Sequence, residues 1–286
     1  MANTYTTLND LFTAIANSIR NKKNSTETIV ADTFPTEIDN LRIGFDYNNL
    51  EVTSISDYAF YGWKDLNSVD CYNLTSIGVS AFENCTNLKS VILYEGVTTI
   101  DENAFKGCDN VIIYYKGSSI PETWHDNWNP DNRPVLFGEP IETWDVSATE
   151  ADNVVAKLYG INDEYTLLVD GNGTMKNYTF SGNTVSPWRA YSNITSTIIL
   201  DSVTSIGNNA FYSCSNLRSI NIPDGVTNIG SYAFWKCTSL TSIIYTGTIT
   251  QWQAITFGNS WNDNTPDYTI HCTDGDIAKD GTITYH

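Results

Sequence analysis

The side chains best suited to catalysis are few in this chain. Its 286 residues include three histidines, His125, His271 and His286, and none has the spacing of a nucleophile elbow or a Ser-His-Asp triad. The 33 acidic side chains could form a glycosidase pair, but only the fold can bring two of them together. The sequence therefore predicts a protein that is not an enzyme, with a glycan-degrading enzyme as the alternative.

Metal-ligating patterns are equally sparse. The stretch Asp170-Gly-Asn-Gly173 resembles the start of a calcium loop. The same residue types are typical of a turn between strands, and no full set of oxygen ligands follows them. We predict a turn at this point, and we expect neither a metal ion nor a cofactor.

Tyrosines at regular intervals offer a different chemistry, namely contact with sugars or protein surfaces. Exposed tyrosines provide a large contact area at low entropy cost. The candidate binding residues are these tyrosines and the isoleucines at outward-facing strand positions before them: Tyr72, Tyr94, Tyr114, Tyr245, Ile92 and Ile112. The alternative is that the tyrosines pack against end caps or a second subunit.

These candidates lie within near-copies of one sequence motif, and the repetition predicts the secondary-structure elements that position them. An Ala-Phe pair recurs in steps of 22 or 23 residues, at 59/60, 81/82 and 104/105 and again at 210/211 and 233/234. A period of this length indicates a solenoid, in which each repeat forms one coil. Two arrays are therefore expected, separated where the register breaks after Phe105.

Each copy predicts one coil with two short strands. In the copy that starts at Val203, the Val-x-x-Ile start and the Leu-x-x-Ile-x-Ile end are extended stretches with inward apolar residues. Between them, the Ala-Phe pair and the residue three positions after Phe share one face of a helical turn. The predicted fold class is thus an α/β repeat solenoid, in which each phenylalanine fills the space between neighbouring coils.

Four of the six cysteines share one position of the repeat: Cys85, Cys108, Cys214 and Cys237. Stacked turns should hold these thiols too far apart for a disulfide. We predict that they are small buried apolar residues. Cys71 and Cys272 form no Cys-x-x-Cys or metal-ligand spacing.

The repeated sequence motif reads Val-Thr-x-Ile-Gly-x-x-Ala-Phe-x-x-Cys-x-x-Leu-x-Ser-Ile-x-Ile-Pro. It resembles the leucine-rich repeat of the BspA type, which is common in bacterial surface and adhesion proteins. The resemblance covers about 45–137 and 190–274. Residues 124–135 and 252–261 resemble the aromatic end caps of such arrays, and 173–188 resemble a leading cap. The family implies binding of proteins or glycans, and it brings no catalytic residues.

The first 44 residues differ in kind. After a capping box at Thr7, a stripe at helical spacing predicts a helix that must dock on another surface: Leu8, Leu11, Phe12, Ile15 and Ile19. This segment either caps the first array or serves as an attachment module. Residues 8–20 and 29–38 resemble the opening of tail-associated proteins from phages and prophages of gut Gram-positive bacteria, which implies docking onto other virion tail proteins.

The predicted domain organisation follows from these boundaries. A helical anchor spans 1–44, a first array with its C-terminal cap 45–139, a β-rich leading cap 140–200, and a second array with its cap 201–286. Within the leading cap, strands are expected at 143–147, 153–159 and 165–169.

The amino-acid composition limits the classes of molecule that the protein is expected to bind. Fifteen Lys and Arg oppose 33 Asp and Glu, a formal net charge of -18, so nucleic acid and anionic membranes are poor partners. No apolar run approaches the roughly 20 residues that span a bilayer, and the start lacks the features of a secretory signal.

The function expected from these observations is that of a phage tail protein that binds a host cell-surface protein or glycan, made in the host cytoplasm and placed in the virion. A bacterial surface adhesin of the BspA type is the alternative. Assembly into a homo-oligomer is left open.

Overall fold

The computed structural model describes residues 53–70 and 74–286. The predicted N-terminal helix, including Leu8, Leu11, Phe12, Ile15 and Ile19, lies outside these ranges, and so do Cys71 and Tyr72. The chain divides into two compact units, Met1–Gly138 and Glu139–His286, called unit 1 and unit 2 below. Among the described residues, no helix has the length and hydropathy needed to cross a bilayer.

Unit 1 is a short solenoid whose successive coils pair through parallel strands. One narrow sheet contains, in order, β1 (Ser54–Ile55), β3 (Ser76–Ile77) and β5 (Thr99–Ile100). The other contains β2 (Ser68–Asp70), β4 (Ser90–Leu93), β6 (Ile112–Tyr115) and β7 (Val135–Phe137). Alternate residues point inward, so Val69, Val91 and Ile113 are buried between the two sheets and the turns.

A column of phenylalanine rings forms the centre of unit 1. The ring centroids of Phe60 and Phe82 are 5.1 Å apart, and those of Phe82 and Phe105 are 5.3 Å apart, with nearly parallel planes. Trp63 stacks on Phe60, and Trp128 meets Phe105 edge-on at 5.9 Å. The repeated Ala-Phe pair thus supplies one ring per coil, as the stacking prediction required.

The segments around the Ala-Phe pairs are not helical, which corrects the expected α/β class. Alternate amides donate to the next coil: Tyr58 N to Val79 O at 2.9 Å and Phe60 N to Ala81 O at 2.8 Å. The amides between them bond to carbonyls three residues back. Because half of the amides are used between coils, the bonding of each amide to the carbonyl four residues back, which defines an α-helix, cannot form.

Helix is therefore scarce in the described part of the chain. It consists of a 3₁₀ turn at Pro187–Ala190 and one short helix, α1 (Ile249–Gln253), which begins with a capping box at Thr248. The described part of the chain is a solenoid made almost wholly of strands and turns.

Unit 2 begins with antiparallel strands and continues as a solenoid. The strands predicted in the leading cap are confirmed as β8 (Glu142–Asp145), β9 (Asn153–Ile161) and β10 (Glu164–Thr174), which pair in that order. One sheet column then contains β11 (Ile194–Ile199), β13 (Ser219–Ile222), β15 (Ser242–Tyr245) and β17 (Thr269–Cys272). The other contains β12 (Val203–Ile206), β14 (Asn228–Ile229) and β16 (Thr256–Phe257), and the hairpin strands β18 (Gly275–Ala278) and β19 (Ile283–Tyr285) end the first column.

The prediction of a turn at residues 170–173 is wrong, because these residues lie within β10. Gly171 has a φ of +115°, and a Cβ there would come within 1.8 Å of the Asn153 carbonyl oxygen, so only glycine fits. The strand changes partner at this bend, from β11 before it to β12 after it. The Asp170 carboxylate accepts from the Gly171 amide and from Lys157. Among the described residues, no group of three or more His, Cys, Asp or Glu side chains is placed to hold a metal ion.

The core of unit 2 repeats the column of rings. Phe211 and Phe234 stack with centroids 5.2 Å apart, and Trp261 meets Phe234 edge-on at 6.0 Å. At the other end, Trp188 is fully buried beside Phe211 and donates from Nε1 to the Ala210 carbonyl at 2.9 Å. Trp188, from the segment that precedes the coils, thus covers the first ring of this column.

The described cysteines are free, as predicted. Cys85, Cys108 and Cys237 are buried, and each thiol donates to the phenylalanine carbonyl one coil back, at 3.0, 2.9 and 3.2 Å respectively. Burial raises the pKa of Cys237 well above its usual value and that of the half-buried Cys214 to about 12.

We therefore expect the native protein to resist alkylation at Cys85, Cys108 and Cys237, since each of these side chains is fully buried and the reagent cannot reach the sulfur. Iodoacetamide at pH 8 followed by peptide mapping measures this, with the protein in urea as the control. Equal labelling rates in the native and unfolded protein would contradict the burial of these side chains.

Candidate binding faces

The second strand of each coil carries an outward row of hydroxyl groups in unit 2. Strand register places the side chains of successive coils beside one another, one strand spacing apart. The hydroxyl row consists of Ser196, Ser219, Ser242 and Thr269. All four residues are partly exposed, and the Oγ atoms of Ser196 and Ser219 are 3.5 Å apart.

A second outward row runs parallel to the first. Asn221, Ile244 and His271 are paired in register, and Asp276 on β18 continues the row. Ile244 is 40% exposed and lies between the polar side chains of Asn221 and His271. The two rows together, hereafter the strand face of unit 2, therefore surround one exposed apolar side chain with groups that donate and accept hydrogen bonds.

A carboxylate with two histidine partners ends this face. His271 Nδ1 lies 2.9 Å from Asp276 Oδ1, and His286 Nε2 lies 3.5 Å from Asp276 Oδ2. Partial burial alone would raise the pKa of Asp276, but the hydrogen bonds and charges of the two histidines bring it below its usual value. The sequence alone does not pair these two histidines with Asp276, because the β17–β19 hairpins that bring them together carry no motif.

In unit 1 the outward row of the strands contains Asp70, Ile92 and Tyr114, which are paired in register. Asp70 is exposed, and Ile92 and Tyr114 are half-buried. Tyr94, which follows β4, is also half-buried. The structure therefore brings together two of the predicted binding residues, Ile92 and Tyr114, on adjacent strands.

Two of the predicted binding residues are buried, whereas exposed side chains were expected. Ile112 pairs with Ser90 rather than Ile92, so it belongs to the neighbouring row, and it is only 4% exposed. Tyr245 pairs with the inward-facing Ile222 and is 2% exposed. It packs against Trp252 of the end cap at 5.2 Å, which is the alternative considered for these tyrosines.

Aromatic residues also mark the opposite side of the coils. The residue after the Ala-Phe pair is Tyr61 in unit 1 and Tyr212 and Trp235 in unit 2. Tyr61 is 49% exposed, and the other two are half-buried and stacked with ring centroids 4.7 Å apart. The repeat spacing alone aligns Tyr212 with Trp235, so the sequence carries the signal for this stack.

Comparisons with known proteins agree with the repeat geometry. A family model described as the BspA type leucine rich repeat region matches residues 14–122 and 189–270 in six copies. A search of curated proteins gave no match.

Among solved structures, a leucine-rich repeat protein of T. pallidum is 19% identical over 77% of this chain and 74% of that chain, with a TM-score of 0.24. A leucine rich cell surface protein from Faecalibacterium prausnitzii is 18% identical over 72% of this chain and 86% of that chain, with a TM-score of 0.19. A leucine-rich repeat protein from Bacteroides ovatus is 19% identical over 78% of this chain and 67% of that chain, with a TM-score of 0.21.

At such low identities and TM-scores, the assignment rests on the repeat model, which matches more than half of the chain. The stacked rings, the paired strands and the end tryptophans follow the same repeats. The chain belongs to the BspA-type leucine-rich repeat family.

Proposed function

We propose that the protein is a non-enzymatic adhesin of a bacterial cell surface, which binds a protein or a glycan through the strand faces of its coils. Membership of a repeat family supports this proposal, because solenoids present extended surfaces that suit binding. The observation that carries it is the strand face of unit 2, where Ile244 lies among in-register polar groups.

This arrangement matches what binding surfaces need. An exposed apolar side chain provides buried area on association, and the surrounding hydroxyl, amide and imidazole groups provide hydrogen bonds that set specificity. In unit 1, Ile92 and Tyr114 offer an apolar and an aromatic neighbour beside the charged Asp70. Either face fits a partner that is flat and partly polar, such as a glycan chain or a protein surface.

The phage-tail interpretation is the second candidate. It depends on residues 8–20 and 29–38, which lie outside the described residues. Under this candidate the N-terminal segment docks onto other virion tail proteins and the ligand lies on the bacterial host. Genes for tail and lysis proteins beside this gene would favour it, whereas genes for secretion or the cell wall would favour the adhesin.

The change Ile244→Asp is expected to weaken binding at least about tenfold, since it places a charge at the centre of the strand face. The measurement is binding of fluorescently labelled protein to epithelial cells, to gut Gram-positive bacteria and to a glycan array. The matched control is Ile120→Asp, because Ile120 is equally exposed, at 42%, but lies outside the strands.

A second variant, Tyr94→Ser with Tyr114→Ser, examines the face of unit 1 in the same assays. If neither face variant changes the binding of a ligand that the unaltered protein captures, the strand faces are not the binding surface. Release of reducing sugar from a bound polysaccharide would instead revive the glycan-degrading alternative.

A further inference from the structure

A second surface, on the turn side of unit 2, combines stacked aromatic rings with two cations. We call it the turn-face strip and define it as Phe180, Arg189, Tyr212, Trp235 and Lys236. The rings of Tyr212 and Trp235 are parallel within 14°, and Phe180, 64% exposed, lies 6.3 Å from Tyr212. Phe180, Tyr212 and Trp235 thus form a partly exposed aromatic surface outside the core.

Each ring of the stacked pair has a cation over it. Arg189 Cζ is 5.1 Å from the centroid of Tyr212, and Lys236 Nζ is 4.2 Å from that of Trp235. The rings hold the cations in place, as expected of cation–π contacts.

Both cations retain hydrogen-bonding capacity. Arg189 donates once, from Nη1 to the Phe180 carbonyl at 2.6 Å, although a guanidinium has five N–H groups. The ammonium of Lys236 makes no hydrogen bond to any described residue, and neither cation is ion-paired within the described ranges. Both are exposed, so their remaining donors face solvent and can meet an anion.

The residues that follow the Ala-Phe pairs of unit 1 form the equivalent row, and they differ from the turn-face strip in charge and aromatic content. There the residue after each Ala-Phe pair is Tyr61, Glu83 or Lys106. Lys106 Nζ is 3.2 Å from Glu83 Oε1, so this cation is neutralised within its own row. Unit 2 has a second aromatic residue, Trp235, where unit 1 has that carboxylate, and its cations remain available.

We infer that the turn-face strip binds an acidic polysaccharide whose sugars carry carboxylates. The uncharged parts of the sugars contact Phe180 and the exposed edges of the Tyr212 and Trp235 rings, and the carboxylates meet Arg189 and Lys236 through charge-assisted hydrogen bonds. This site is separate from the strand faces on which the adhesin proposal rests.

The charge of the whole chain selects among anionic ligands. With a formal net charge of -18, a polymer of high charge density such as nucleic acid is repelled over most of the surface. Two local cations can offset this repulsion only for a polymer with sparse charges and much uncharged surface. A carboxylated polysaccharide has these properties, and the aromatic rings contact the uncharged part.

The test uses the full chain and partly methyl-esterified polygalacturonate, in which the charges are sparse, with the fully methyl-esterified polymer (the ester) as the matched uncharged control. The protein should be retarded in native gels that contain the partly esterified polymer and not in gels that contain the ester. Trp235→Ala and Lys236→Gln should each weaken retardation about tenfold, through loss of the aromatic contact or of the charge. Lys236 is exposed, so Lys236→Gln keeps the test valid if Trp235→Ala is poorly folded by circular dichroism.

The matched controls are Tyr61→Ala and Lys106→Gln in the equivalent row of unit 1, which should bind as the unaltered protein does. Ile244→Asp should also bind, because it alters the strand face alone. Equal weakening by the unit 1 variants, retardation by the ester, or no retardation at all would overturn the inference. Equal retardation by polyglutamate would also overturn it, because the strip would then recognise acidic chains of any class.

Discussion

Replacing Phe82 with alanine is expected to lower the free energy of unfolding of unit 1 by about 3–5 kcal/mol. Phe82 is fully buried and stacks on Phe60 on one side and on Phe105 on the other, so its loss leaves a cavity in the middle of the column. The surrounding coils cannot collapse into this cavity, because their strands and turn amides fix the spacing between them.

The measurement is a urea titration followed by hydrogen exchange, which reports each unit through its own peptides. Protection should fall in β3, β4 and β6. The matched control is Phe180→Ala, since Phe180 is 64% exposed and its removal should cost less than about 0.5 kcal/mol. A loss below about 1 kcal/mol for Phe82→Ala would show that the ring column does not hold the coils together.

Trp188→Ala is expected to have a comparable effect on unit 2, about 3–5 kcal/mol. Its indole lies between Tyr178 and Phe211 and donates to the Ala210 carbonyl, so the change removes both packing and a buried hydrogen bond. Hydrogen exchange should then increase first in β11 and β12, where the leading segment meets the coils.

Trp188→Phe separates the two contributions. It keeps a ring in the same place but removes the donor to Ala210 and part of the volume of the indole, so the expected cost is about 1–3 kcal/mol, less than that of Trp188→Ala. Equal costs for the two variants would mean that the ring itself contributes little, and that the leading segment does not close the core.

Much of the fold follows from periodic residues. The recurrence of Val, Ile, Ala, Phe and Leu at fixed positions predicted the coils, their strands and the burial of Phe82 and Phe211, because an apolar residue at the same place in every copy must face the shared core. The helical turn was wrong because side-chain spacing does not show where amides donate. Tyr58 and Tyr232 adopt φ of 57° and 58°, which their residue types do not signal.

The candidate site was less predictable for a related reason. Exposure on a strand depends on phase, and a shift of one residue exchanges the inner and outer faces. Tyr245 pairs with Ile222, whose side chain points inward, so the tyrosine also points inward and packs against Trp252 of the end cap. The His271–Asp276 pair depends on a hairpin register, and the cations of the turn-face strip depend on side-chain directions, which no repeat position encodes.

The bonding between coils has a consequence for how such proteins change over generations. The Phe60 coil meets the Phe82 coil through the same ladder of amides and the same ring spacing as the Phe82 coil meets the Phe105 coil. Deleting or duplicating one whole coil therefore leaves every remaining junction intact, and Trp128 can end the column at any length. Recombination between near-identical repeats can lengthen the molecule in whole steps, so its reach and its number of contact rows can evolve without redesign of the core.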